Sequence, residues 1–180
     1  QARIEVHRKP LGVIGSITAD ITRTIPASGR FTPRQRALYD LVLGAQQAAM
    51  DSIRPGATIG QLTQIARRYL RDRSGDLCGP RTCDAWFIHG LSHWIGMDVH
   101  DVGDNDWPLQ PGMAFVIEPG IYVREGALEN LPKTPANAAF IEKVRPAFEK
   151  YKNIGVRIED SFLLTESGLK NLSASVPKTI

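Results

Sequence analysis

The chain contains no apolar run long enough to cross a membrane, no block of basic residues and only two cysteines, and each shortage removes a class of function. Its longest apolar stretches, such as residues 113–117, fall far below the roughly 20 residues of a membrane-spanning helix. Gln1 is followed by charged residues instead of the apolar core of a secretory signal, so the expected compartment is the cytoplasm and no membrane partner is expected. An opening on Gln instead of Met also fits a fragment of a longer chain. Lysines and arginines number 22 against 19 acids, but the two signs are interspersed and no basic run is interleaved with aromatics, which argues against a nucleic-acid partner. Cys78 and Cys83 enclose Gly-Pro-Arg-Thr, which is neither the C-x-x-C of a redox or zinc knuckle nor a secreted disulfide framework. Two thiols in or near a loop are expected, with a local disulfide as the alternative.

What remains is the balance of a globular chain: 42% hydrophobic against 23% charged residues over 180 positions is enough to bury one core of ordinary size. Residues 12–25 carry β-branched side chains broken by Gly and Ser and read as a strand or hairpin ending at Pro26, which puts Asp20 on or beside a strand. Thr32-Pro33-Arg34-Gln35 offers the N-cap, N1 proline and N3 glutamine of a capped helix. Leu38, Leu41, Val42, Ala45, Ala48 and Ala49 form its apolar stripe, and it should end near Ile53, before Pro55-Gly56. Thr58-Ile59-Gly60-Gln61 repeats the capping logic, with Leu62, Ile65, Ala66, Tyr69 and Leu70 predicting a second amphipathic helix to about Arg73. The pattern then changes to strands, clearest over residues 113–123 and 154–165. Between them, residues 124–153 are polar and dotted with proline and read as an excursion, with a short helix expected over 137–151.

Three separated segments deliver hard or borderline metal ligands. Asp20 lies in A-D-I-T-R-T; His89, His93 and His100 fall within twelve residues; Glu118 and Glu159 sit in apolar strands. A carboxylate in such surroundings needs a partner, and the alternative to a metal is a salt bridge, for example Glu159 with Arg157 or Arg23. The three histidines are spaced irregularly for one helix face, and Gly90, Gly96 and Gly103 imply specific turns, so a segment wrapped round a site explains them better than a loose surface loop. A Ser-His-Asp triad using Ser92 would lack the nucleophile-elbow pattern. Carboxylates with imidazole suit Mn²⁺, Zn²⁺, Co²⁺ or Fe²⁺, and such a set can hold two ions whose shared water ionises near neutral pH. Asp20, His93, Glu118 and Glu159 are therefore expected to converge on one point.

Taken in order, A-D-I-T-R-T, H-G-L-S-H-W-I-G-M-D-V-H-D-V-G, F-V-I-E-P-G-I-Y and G-V-R-I-E-D resemble the catalytic domain of aminopeptidase P and prolidase, the Xaa-Pro branch of the pita-bread metallopeptidases, over about residues 15–180. The resemblance implies an α+β pita-bread fold, a curved antiparallel sheet with helices on its outer face. It implies a two-metal site, commonly Mn²⁺ with Zn²⁺ or Co²⁺ as alternatives, in which Asp20 and Glu159 are shared carboxylates and His93 and Glu118 complete one metal position. Glu118 is also implied as the proton shuttle. His89 and His100 are implied as non-ligand histidines that bind substrate and steady the tetrahedral intermediate, with Tyr122 and Arg157 beside them on the substrate side and Arg157 counted among the catalytic groups. The implied activity is hydrolysis of an N-terminal Xaa-Pro peptide bond through a metal-activated water. The implied partners are peptides with proline in second position, and self-association into a homo-oligomer is a further expectation.

One position departs from the resemblance. The family's first metal-binding aspartate stands eleven residues before the shared one, and here that position is Lys9. A protonated ammonium cannot ligate and repels a divalent ion, so at most one metal position, built from Asp20, His93, Glu118 and Glu159, is expected to be complete. Glu5 and His7 are weak candidates for replacement ligands. Residues 1–12 read as a foreign or truncated start and residues 13–180 as a partial catalytic domain, so weak activity is expected of this chain. The competing class is a catalytically silent pita-bread module that binds peptides or a protein partner. Broad loss of ligands would mark such a module, whereas this chain keeps four of five and both additional histidines.

Overall fold

The computed structural model describes residues 2–6, 18–75, 77–78 and 82–179, the first of these segments as backbone alone. Lys9 and His7, and the side chain of Glu5, lie outside the described residues. Capping chemistry sets the helices where the sequence places them. Thr32 caps α1 (Pro33–Met50) by accepting from the Gln35 N–H while the Gln35 side chain accepts from the Thr32 N–H. The helix proper stops at Met50, short of the expected Ile53, because Ser52 and Ile53 bond back three residues and taper it into a turn. Thr58 and Gln61 cap α2 (Ile59–Asp72) in the same way. The two helices pack together where Gly44 lets the Tyr69 ring approach the α1 backbone; a Cβ at 44 would collide with that ring. A third helix, α3 (Pro135–Tyr151), begins two residues before the expected position, at the Thr134 cap and Pro135.

Cys78 and Cys83 form a disulfide, so the expectation of two thiols is corrected in favour of the local bridge. After α2 the chain turns back through a Leu77 N–H bond to the Ser74 carbonyl, and the Ser74 hydroxyl accepts from the Cys83 N–H at 2.9 Å. That fold-back brings the two Cα atoms to 5.2 Å, within bridging range.

The strands are all antiparallel: β1 (Ala2–Val6) with β2 (Thr22–Pro26), β3 (Ala114–Ile117) with β6 (Asp160–Thr165) and then β7 (Gly168–Asn171), and β4 (Gly120–Val123) with β5 (Ile154–Arg157). The sequence suggested two long strands, 113–123 and 154–165. Each is interrupted once, at Glu118-Pro119 and at Ile158-Glu159, because Pro119 has no N–H for a ladder. The register does not slip across the interruption. Ile117 faces Asp160 on one side and Gly120 faces Arg157 on the other, so Glu118 stands opposite Glu159. An isolated bridge between Thr22 and Glu159 adds β2 to this junction.

Helix α1 lies on β3, β4 and β5 and buries Leu38, Val42, Ala45 and Ala49 in one core with Phe115, Ile117, Ile121 and Phe162. Its buried Gln46 donates to the carbonyls of Ile117 at 3.1 Å and Ile158 at 3.4 Å, the carbonyls immediately before the two glutamates. Among the described residues no helix is long and apolar enough to cross a membrane.

Candidate metal centre

The junction of broken strands carries the candidate ligands. Asp20 lies two residues before the start of β2, and the Thr22–Glu159 bridge brings Glu159 beside that strand. Asp20 is held by a two-way bond with Ser161, whose hydroxyl accepts from the Asp20 N–H at 3.1 Å and donates to its carbonyl at 2.8 Å. The Thr22 hydroxyl donates to Glu159 Oε2 at 2.5 Å. His93 arrives from a segment that runs along β3 like an extra strand: the N–H groups of Ile95, Val116 and Glu118 bond the carbonyls of Ala114, His93 and Leu91. The sequence expected a loop or strand there, and the segment is extended.

His93 Nε2 lies 3.9 Å from Asp20 Oδ2, 3.9 Å from Glu118 Oε1 and 3.6 Å from Glu159 Oε1. Its Nδ1 is 3.1 Å from the Trp94 carbonyl. A carbonyl only accepts, so Nδ1 carries the hydrogen and a neutral ring turns its Nε2 lone pair toward the three carboxylates. Burial disfavours the charged ring, but Glu159, the Trp94 carbonyl and Glu118 outweigh it and raise the imidazole above its ordinary pKa.

Glu118 is pushed up to about 7, first by burial and then by the Glu159 charge opposite, against the pull of Arg157 and His93. Arg157 Nη1 donates to Glu118 Oε2 at 3.2 Å. Arg23 spends its guanidinium on the Asp160 carboxylate and on the carbonyls of Thr22 and Glu159. Neither arginine forms the salt bridge to the Glu159 carboxylate that was the alternative to a metal. Glu159 Oε1 is buried with no hydrogen-bond partner among the described residues.

These observations test whether the residues fit a divalent cation. Two ligands about 2.0–2.3 Å from a common centre lie roughly 3–4.5 Å apart, which the separations from His93 Nε2 match. Two groups of donor atoms, Asp20 with His93 and His100, and His93 with Glu118 and Glu159, each lie within 4.8 Å of one another. The donors are hard or borderline, and one of them is a buried carboxylate oxygen with no hydrogen-bond partner among the described residues. They fit.

A cavity of about 360 Å³ opens beside this cluster, bordered by Asp20, His89, His93, His100, Glu118 and Arg157. The His100 ring stacks on His93, centroids 4.0 Å apart and planes 10° apart. Its loop is shaped by Asp101, whose carboxylate accepts from the N–H groups of Met97 and Val102, and by Gly103, where a Cβ would strike Trp94. His89 Nδ1 lies 2.7 Å from the Gly90 carbonyl and its Nε2 lies 2.8 Å from the Tyr122 hydroxyl. By the same carbonyl argument His89 is the Nδ1–H tautomer and accepts from Tyr122. Burial lowers the His89 pKa and raises that of Tyr122 to about 12, which keeps both groups neutral. Tyr122 is not among the residues bordering the cavity and reaches it through His89. Ser92 borders the cavity, but its hydroxyl has no hydrogen-bond partner among the described residues, so no triad assembles there.

Sequence reasoning missed Thr22, Ser161 and Gln46, which hold the ligand-bearing backbone. Thr22 and Ser161 each stand two residues from a candidate ligand, and their contacts across the chain, Thr22 with Glu159 and Ser161 with Asp20, become readable only once the pairing is known.

Residues 11–166 match the model of metallopeptidase family M24. The Xaa-Pro aminopeptidase of Escherichia coli (strain K12) is 38% identical over 173 residues, 88% of this chain and 35% of that protein. The Xaa-Pro aminopeptidase of Haemophilus influenzae is 41% identical over 175 residues, 89% of this chain and 36% of that protein. Among solved structures, aminopeptidase P from E. coli with the inhibitor Pro-Leu superposes with a TM-score of 0.73 at 36% identity, over 91% of this chain and 36% of that one. The chain thus spans about a third of the length of these relatives.

Proposed function

The chain belongs to metallopeptidase family M24 and has the pita-bread fold of the aminopeptidase P structures it matches, and from that premise we propose that it is the metal-binding part of an Xaa-Pro aminopeptidase. The observation that carries this reading is the meeting of Asp20, Glu118 and Glu159 around His93 Nε2, beside a cavity bordered by Asp20, His93 and Glu118 together with two further histidines and an arginine. Those four side chains would hold one divalent cation, with Mn²⁺ preferred and Zn²⁺ or Co²⁺ accepted by an oxygen-rich set with one imidazole. Bound there, the cation would polarise the scissile carbonyl and lower the pKa of a water.

The protein's own groups supply the rest. Glu118, its outer oxygen fixed by Arg157, can take a proton and return it to the leaving prolyl nitrogen. His100 stands at the cavity where its ring can donate to the carbonyl oxygen as charge develops. His89, steadied by Gly90 and Tyr122, presents a neutral ring to the substrate beside the Arg157 guanidinium. The substrates of this reading are peptides with proline in second position. In this reading residues 13–180 are its catalytic portion, cytoplasmic and self-associating, with Asp20, His93, Glu118 and Glu159 as its one cation position.

The test is calorimetric titration of the chelator-treated chain with Mn²⁺, followed by assay on matched Xaa-Pro and Xaa-Ala peptides. The expected result is one tightly bound ion and cleavage confined to the Xaa-Pro peptide. Absence of cation binding overturns the metal reading, equal cleavage of both peptides overturns the specificity, and peptide binding without any cleavage supports the silent module.

A further inference from the structure

The face of the sheet turned away from the cavity carries a second polar cluster that the proposed chemistry does not use. Asp160 follows Glu159 directly, so its side chain projects to the opposite face, where it is fully buried. Its Oδ1 accepts from Arg23 and Ser173, each at 2.7 Å, and its Oδ2 from Lys178 Nζ at 2.6 Å. The same ammonium donates to Gln46 Oε1 at 2.8 Å. Gln46 in turn donates to the carbonyls of Ile117 and Ile158, one residue before Glu118 and Glu159. The segment 176–178 is strapped to this cluster at every residue: Arg23 donates to the carbonyls of Val176 and Pro177, and the Tyr39 hydroxyl donates to that of Lys178 at 2.8 Å.

We propose that Lys178 is a positioning residue for the metal centre, its ammonium locking Gln46 and Asp160 behind the sheet and through them the two strand breaks from which Glu118 and Glu159 project. The peptide groups preceding the glutamates are held on their N–H sides by backbone bonds, Glu118 to the Leu91 carbonyl and Glu159 to the Thr22 carbonyl, and their carbonyls accept from Gln46. Gln46 fixes them from behind, and it needs Lys178 to hold its amide with the NH₂ toward the sheet. Rotation of either peptide swings the carboxylate it carries, and a displacement near 1 Å is enough to spoil a coordination site. Lys178 touches neither the cavity nor any candidate ligand. The inference rests on the reading of Asp20, His93, Glu118 and Glu159 as cation ligands.

The experiment uses the whole chain with Lys178→Met, which keeps the length of the stem, and Lys178→Arg, which keeps the charge. Mn²⁺ dissociation constants are measured by calorimetry at a temperature where circular dichroism shows each variant folded, alongside thermal unfolding without metal. The expected result is binding weakened ~10-fold or more in the Met variant, in the range found for groups behind metal ligands, with most of the affinity restored in the Arg variant. A role in stability alone moves the unfolding temperature and leaves the dissociation constant of the folded protein unchanged, and that outcome overturns the proposal. Gln46→Met is the second probe should Lys178→Met not fold: it removes the amide with little change of volume and is expected to weaken Mn²⁺ binding in the same way, while unchanged affinity again overturns the idea. If the parent binds no divalent cation, the ligand reading itself fails and the positioning role with it. If the parent binds and the variants bind equally, only the positioning role fails.

Discussion

Replacing Glu118 by Gln is expected to stabilise the metal-free protein while damaging its site. Without a cation the carboxyl is pushed from 4.5 to about 7, burial being the larger cause and the Glu159 charge across the strand pair the next. A shift of that size corresponds to roughly 3 kcal/mol at about 1.36 kcal/mol per unit. The folded chain holds this proton more tightly than the unfolded one. Below pH 4.5 the group favours neither state; as pH rises toward 7 the unfolded chain ionises first and stability falls; above 7 the full penalty applies. Gln has no charge to desolvate and keeps an oxygen that can accept from Arg157. Urea unfolding of the chelator-treated proteins is therefore expected to show the Gln variant more stable than the parent by about 2–3 kcal/mol at pH 8 and by less than about 1 kcal/mol at pH 5. The same variant is expected to bind Mn²⁺ at least ~10-fold more weakly, since it replaces a charged donor by a neutral one. A variant no more stable than the parent at pH 8, or a gain identical at both pH values, refutes the reasoning.

Three further substitutions probe other parts of the chain. His100→Ala is expected to lower kcat for an Xaa-Pro peptide more than it raises KM, because a contact to a developing oxyanion is strongest in the transition state; unchanged kinetics in an active preparation would remove His100 from the chemistry. Asp160→Asn leaves Lys178 and Arg23 short of a buried counter-charge and is expected to cost about 3–5 kcal/mol in urea unfolding at pH 7. Burial opposes the Asp160 charge, but Lys178, Ser173 and Arg23 outweigh it and hold its pKa below the usual carboxylate range. Its contribution should therefore be present above the ordinary aspartate pKa and fade as pH falls through the lowered one, so the gap between parent and variant closes in acid. Gly44→Ala should destabilise the chain despite the roughly 1 kcal/mol that alanine gains in a helix, because the new methyl meets the Tyr69 ring; thermal unfolding at or above the parent value would mean that the ring moves freely.

Much of the site was legible because its signals are local or chemically costly. Thr32 and Thr58 announce their helices through a glutamine three residues on, a contact that needs no tertiary structure. Glu118 and Glu159 stand out because an acid in an apolar strand demands a partner, and the order of the motifs carried the family resemblance that residues 11–166 bear out. The cysteine reading failed because a disulfide depends on how the chain folds back at Ser74 and not on the four residues between the thiols.

The sequence by itself determined the inventory: two capped helices, apolar strands interrupted by acids, and a glycine-jointed run of histidines. The tertiary structure alone decided what meets what. Glu118 faces Glu159 because two strands run antiparallel with one register on both sides of a break. Thr22 bonds Glu159 because β2 bridges to that junction from 137 positions away, and Lys178 reaches Asp160 and Gln46 because segment 176–178 crosses behind the sheet. Capping and hydrophobic periodicity act over three or four residues and are written in the chain. Pairing between distant strands arises from burial and hydrogen bonding summed over the whole core, and no local pattern encodes it.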